Sequence, residues 1–346
     1  MHPGRAAERA MPGVRESRRP ADPGGGVKRL TGRVLGSIWT RILVTLGLLA
    51  VVAANVDWSL MRDRVSAGEP GWVLIAVMLV VAALAVGLVR WWHLLTVAGV
   101  RLDTRRVSRV YAVSTFSSTF LPTSVGGDVA RALLVVRRGP LLARVAMSVV
   151  VDRIGGLIGL LGVAWIALLA DPQAAPYDVR VFFAWVTAVF GIGGLLGLAV
   201  VLRARALSRF VPRRLQATLA RARQVLLDYT ADPRLVLSLV FTSLVFQALV
   251  ALSVVALARA IDIELTFATA AVTITLMTVA TLVPLSIAGF GVREASYVVV
   301  LGESGVSATD ATLISLLTVV TLLIASLPGA YLLARHGTTP ALETAT

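Results

Sequence analysis

Leu121-Pro122-Thr123-Ser124-Val125-Gly126-Gly127-Asp128-Val129-Ala130-Arg131 is the stretch whose reading decides the fold. It lies among apolar segments, yet it holds a helix breaker, two adjacent glycines and two opposite charges. A plain membrane span tolerates none of these cheaply. A second stretch echoes it: Val283-Pro284-Leu285-Ser286-Ile287-Ala288-Gly289-Phe290-Gly291-Val292-Arg293. Counted from each proline, both copies place Ser at +2, a β-branched residue at +3, Gly at +5 and Arg at +9. Two unrelated breaks in apolar helices are the plainer explanation, so the echo needs support from topology.

The chain has 346 residues, 57% of them apolar, and a mean hydropathy of +0.84. The apolar residues come in blocks long enough to span a bilayer. The expectation is an all-α, polytopic helical membrane protein; the short alternating segments of a β-barrel are absent from the sequence. Net charge is +14, which reads as membrane orientation and not as a nucleic-acid surface. There is no Cys, which excludes disulfides and thiolate chemistry. His2, His93 and His336 form no metal-ligand spacing, and no catalytic triad or nucleotide-cradling loop is present. No cofactor, metal or catalytic residue is expected.

Around the first break the chain divides as follows. Residues 1–36, rich in Pro, Gly and Arg, read as a disordered basic cytoplasmic tail. Six full spans follow at about 38–56, 71–89, 145–170, 179–202, 235–258 and 311–334. Asp57 to Pro70 reads as a polar loop, and Arg90-Trp91-Trp92-His93 as an interfacial cluster. Between the second and third spans, two short arms flank the Pro122 break. At 1.5 Å per residue each reaches ~15–18 Å, about half of a ~30 Å hydrocarbon core. That suits a re-entrant hairpin. A second hairpin is expected over 266–301, although Thr266 to Gly289 is also long enough to cross fully. Gly191, Gly193, Gly194 and Gly197 suit close helix approach. Residues 203–234 carry an apolar stripe through Leu215, Leu219, Leu226 and Tyr229 with arginines off it, which suits a basic amphipathic helix on an anionic membrane surface. A short tail, 335–346, closes the chain.

With the first tail placed inside and the spans alternating, only Arg62, Arg64, Arg180, Arg259 and Arg293 fall outside, among 33 Lys and Arg. The first hairpin then opens to the cytoplasm and the second to the exterior. Repeat one (about 71–170) and repeat two (about 235–334) become inverted copies within one domain over 37–334, an arrangement known from transporters.

The breaks also have a chemistry. A half-helix N-terminus attracts anions. Gly126, Gly127, Gly289 and Gly291 let a headgroup approach the backbone. Arg131 and Arg293 add permanent charge suited to a phosphate, and Ser124 and Ser286 offer hydroxyl donors. Asp128 either caps its helix or pairs with Arg131 at i+3. Glu294 pairs either with Arg293 or with a cationic part of a substrate. Asp152 and Arg153, adjacent on a helix, point about 100° apart, so one meets the hairpin and the other the interface. In the plainer reading, these charges only pair with one another and hold the hairpins together.

At these residues the chain resembles the transmembrane region of the lysylphosphatidylglycerol synthases, a flippase-like family that includes the membrane half of the multiple peptide resistance factor. Three pieces carry the likeness: Pro122 with Gly126-Gly127-Asp128 and Arg131; Asp152-Arg153 with Gly156-Leu157; and Pro284, Ser286, Gly289, Gly291 and Arg293-Glu294. The resemblance covers about 38–334. It implies a domain that moves a charged or glycosylated lipid between leaflets, and two re-entrant elements. The synthases carry a large soluble aminoacyl-transfer domain, whereas only 12 residues follow the last expected span here. The synthase activity is therefore not carried over. The expectation is a non-enzymatic, lipid flippase-like protein of the bacterial inner membrane with a cytoplasmic N-terminus. Its partner is an anionic, glycosylated or aminoacylated phospholipid or glycolipid, and no nucleic acid. The alternative is a membrane anchor for a separate glycosyl- or aminoacyl-transferase that docks on 203–234.

Overall fold

The computed structural model describes residues 45–336 except 52, 121–123, 138, 204–212, 283–285, 287 and 288. The expected 1–36 tail, the start of the first span, Pro122, Pro284 and most of the 335–346 tail lie outside the described residues. The described residues are helical, with no strand among them. In order they are α1 (Thr45–Asn55), α2 (Trp58–Ala67), α3 (Pro70–Val97), α4 (Thr104–Phe120), α5 (Ser124–Val135), α6 (Pro140–Ala170), α7 (Tyr177–Leu202), α8 (Arg213–Thr230), α9 (Pro233–Arg259), α10 (Phe267–Leu282), α11 (Val292–Gly302) and α12 (Ala308–His336).

Helix starts follow local chemistry. Proline, whose missing N–H costs nothing in the first turn, opens α3, α6 and α9. Asp57 accepts from the Ser59 and Leu60 N–H groups to cap α2, and Asp232 accepts from the Arg234 N–H to cap α9. Among the described residues, five helices are long and apolar enough to cross a membrane: Pro70–Val97, Leu141–Ala170, Tyr177–Gly197, Pro233–Arg259 and Ala308–Arg335. The paired short helices are different. α10 has 16 residues and α11 has 11, about 24 and 16 Å at 1.5 Å each. Each is shorter than a ~30 Å hydrocarbon core.

Small residues set the packing. In α6, Gly155, Gly159 and Gly162 face Leu239, Ser243 and Leu244 of α9. A Cβ on Gly159 would stand 2.5 Å from the Ser243 carbonyl oxygen. Gly329 of α12 lies directly on the Ala112 carbonyl of α4. Such contacts let backbones approach where lipid supplies no hydrophobic drive between helices. The bundle forms around α3 against α9, with α6 packed on α9, α12 on α3 and α4, and α10 on α6 and α9.

Three sequence expectations are corrected, and the surroundings of α8 are added to. Helix α3 runs through Arg90-Trp91-Trp92-His93 to Val97, and Arg90 and Trp91 are buried inside the bundle. Leu94 and Leu95 continue its apolar face, so the helix carries on past the cation. The segment 57–70 is mostly helix α2, and its Arg64 reaches Asp310 of α12 at 3.2 Å. No described residue lies within 4 Å of where a Cβ on the α7 glycines would stand, so the expected close approach is not seen among the described residues. The last turns of α8 dock on the bundle: Val225 and Tyr229 are buried against Leu94, Ala98 and Val151. The Tyr229 hydroxyl donates to the Leu94 carbonyl at 2.7 Å, and burial pushes its phenol above the usual value. The end of α3 provides that dock.

The two kinds of glycine predict opposite outcomes. Gly329→Val should lower stability by about 1–3 kcal/mol through overpacking. Gly193→Ala, in open space, should raise it by about 0.5–1 kcal/mol through helix propensity. Thermal unfolding of the purified protein in detergent reads both.

Candidate functional site

The charges of the first hairpin converge on one carboxylate. Asp152 of α6 is buried and takes two guanidinium groups. Arg90 of α3 donates from Nε to Oδ1 at 2.7 Å, and Arg131 of α5 donates from Nη1 to Oδ2 at 3.0 Å. Both arginines are buried. Arg90 also donates to the Ser243 hydroxyl of α9 at 3.0 Å, and Arg131 to the Ser114 hydroxyl of α4 at 3.2 Å. Aromatic faces complete the enclosure. The Arg131 guanidinium carbon lies 4.6 Å from the Tyr111 ring centroid and 5.1 Å from that of Trp91. Arg90 lies 5.6 Å from Phe246. Cation–π attraction strengthens when such groups are desolvated. Trp91 is held in turn by its Nε1–H, which donates to Ser148 at 3.2 Å.

Sequence explains how these side chains meet. Gly87 of α3 lies against the Tyr111 hydroxyl, where a Cβ would not fit. Gly127 lies against Ser118, bringing α5 close to α4. Gly159 brings Ser243 of α9 within reach of Arg90. Two positive charges and one negative charge leave the buried cluster with a net charge of +1.

Beside it stands a second ion pair. Arg153 donates from Nε and Nη2 to both Asp128 oxygens, at 2.7 and 2.9 Å. The Arg153 side chain is 56% exposed, and Val129, Val150 and Ile154 near it are exposed too. Asp128 therefore pairs with Arg153, not with Arg131 as one reading of the i+3 spacing had it. Adjacent Asp152 and Arg153 point apart as expected, yet both meet α5, because Asp128 and Arg131 stand one turn apart on it. Ser124 and Gly126 open α5 beside this pair; the Ser124 hydroxyl lies outside the described part.

The second break differs. Gly289 and Gly291 have φ of 77° and 82°, a region closed to most residues. Glu294 of α11, 1% exposed, turns back to accept the Gly291 N–H on Oε2 at 2.5 Å. The Arg293 guanidinium lies 5.9 Å from the Phe290 ring. Leu48 of α1 sits on Gly291. Ser286 is buried at the break. Arg131 and Arg293 thus belong to two separate clusters. Among the described residues no group of three or more His, Asp or Glu suits a metal.

The sequence reading missed Arg90, Trp91, Tyr111, Ser243 and Phe246. The available signal was Arg90 itself, a cation followed by Leu94 and Leu95 at helical spacing.

The family model for the lysylphosphatidylglycerol synthase TM region matches residues 38–329, and the chain belongs to this family. Comparison with curated proteins and with solved structures gives no match. With its apolar helices, the chain is a multi-pass helical membrane protein.

Removing one partner of a buried ion pair leaves an uncompensated charge, at a cost of about 3–5 kcal/mol. Asp152→Asn should therefore destabilise far more than Asp128→Asn, whose partner Arg153 stays in contact with its surroundings. Unfolding midpoints of the two variants in detergent check the order.

Proposed function

We propose that this protein is a lipid translocator without enzymatic activity, moving a lipid with an anionic headgroup between leaflets of the bacterial inner membrane. The observation that carries the reading is the net positive charge held in a buried cluster within apolar helices. A charge at that depth is expensive and marks a substrate path by default. Arg153, half open beside exposed apolar side chains, is the first guanidinium a phosphate meets from the membrane. Arg131, lying on the same helix as Asp128, is the next. The phosphate competes with Asp152 for the Arg131 fork, since two guanidiniums share that one carboxylate. Arg293, nine residues after the second proline, takes the equivalent role at the other break.

Matched packing partners in the two halves support the reading. Exchanging α3–α6 for α9–α12 maps the packing partners onto themselves. α6 on α9 becomes α12 on α3, α4 on α12 becomes α10 on α6, and α5 on α6 becomes α11 on α12. The α4–α5 and α10–α11 pairs are then two re-entrant elbows that enter from opposite faces, with the N-terminus cytoplasmic.

Two measurements test this. In liposomes with a fluorescent anionic lipid, Arg131→Lys keeps the charge but loses the two-pronged grip. It should slow transbilayer movement roughly ten- to a hundredfold, the equivalent of the about 1.5–3 kcal/mol of a hydrogen bond to a charged group. An unchanged rate removes Arg131 from the path. Single cysteines at Arg101 and Ser304 should react with an impermeant maleimide on intact cells only at Ser304. Equal or reversed labelling rejects the inverted arrangement.

A further inference from the structure

The buried polar side chains of the two breaks are satisfied to different degrees. At the first, Arg90, Arg131, Asp152, Ser114, Ser148 and Ser243 all have partners. At the second, among the described residues, Glu294 Oε1 and Ser286 Oγ have none, and neither has Thr321 Oγ1 of α12. All three residues are more than nine-tenths buried. A mid-helix threonine ordinarily donates back to its own helix. Thr273, Thr275, Thr281 and Thr318 do so, and Thr321 does not. A buried polar atom without a partner calls for a ligand or an ordered ion or water.

The packing of α11 on α12 sets the register of two of these atoms. Tyr297 of α11 meets Thr318 of α12 at 3.2 Å. One turn further from the connection between the two helices stand Glu294 on α11 and Thr321 on α12. The end of α10 is close as well: Gly289 lies against the Thr281 side chain, 2.7 Å from where its Cβ would be. Helix α10 ends at Leu282, and the last carbonyls of a helix lack intrahelical partners and carry partial negative charge. Ser286 lies in the break between them.

We propose that this second elbow binds a monovalent metal cation, sodium, through Glu294 Oε1, the hydroxyls of Ser286 and Thr321, and the carbonyl end of α10. Every donor is oxygen, which suits a hard cation. One carboxylate, with its other oxygen held by the Gly291 N–H, matches a single positive charge and is too little for a divalent ion. Arg293, the preceding residue, stands about 100° away on α11 and lies over Phe290. Half-helix C-terminal ends bind coupling ions in this way in transporters built from inverted repeats. Binding itself does not rest on the lipid reading. Combined with it, a bound sodium ion is the group through which an existing sodium gradient would couple to lipid movement.

The test uses the full chain, purified in detergent in choline chloride. Adding sodium chloride should raise its unfolding temperature, and potassium or choline chloride at equal ionic strength should not. Radioactive sodium should bind in a scintillation proximity assay. Glu294→Gln should lose both responses, while Ser286→Ala and Thr321→Val, which keep the carboxylate, should shift both to higher sodium concentration. Absence of a sodium response in the native protein assigns these atoms to an ordered water only and overturns the proposal. So does a response that survives in Glu294→Gln. Sodium binding without lipid movement in liposomes leaves this site standing and rejects the translocator reading alone.

Discussion

Asp152 is where the first half of the molecule is tied together. One carboxylate holds a guanidinium from α3 and another from α5, and through Ser114 and Ser243 the same two arginines reach α4 and α9. In an interior of low dielectric, each of these groups alone would be prohibitive. Together they are tolerable because the guanidiniums share the carboxylate, donate to serine hydroxyls and lie over aromatic faces. The glycines of α6, and Gly87 and Gly127, follow from this requirement. Hydrogen bonds of about 3 Å across five helices demand backbones nearer than larger side chains permit.

The second elbow meets a similar problem with different means. There the strain lies in the backbone, at Gly289 and Gly291, and the carboxylate of Glu294 satisfies a helix-terminal amide in place of a guanidinium. The first elbow is fastened by side chains reaching between helices, and the second mainly by its own turn. Two halves with matching packing partners therefore carry unlike chemistry at their tips.

Much of this could be read from residue types. Charges, prolines and glycines inside apolar blocks are conspicuous, so Arg131, Asp152, Arg153, Gly289 and Glu294 stood out. The end of α10 followed from the break near residue 283, whereas α9 starts at Pro233, two residues before the expected span. The pairings were hidden because linear spacing does not say which helix faces which. Asp128 had Arg131 one turn away, yet the closer partner came from α6. Arg90 was masked by its two tryptophans, since aromatic residues beside a cation are also what a membrane boundary looks like. The α7 glycines misled for a similar reason: they permit a close neighbour without supplying one.

The unbalanced charge at Asp152 has an electrical consequence. A membrane potential does work of about 2.3 kcal/mol on an elementary charge carried through 100 mV. Any shift of α5 that moves Arg131 along the bilayer normal therefore exchanges energy with that potential. Displacement through a tenth of the field amounts to about 0.2 kcal/mol per 100 mV. A membrane voltage thus biases any such shift of α5, whatever prompts it.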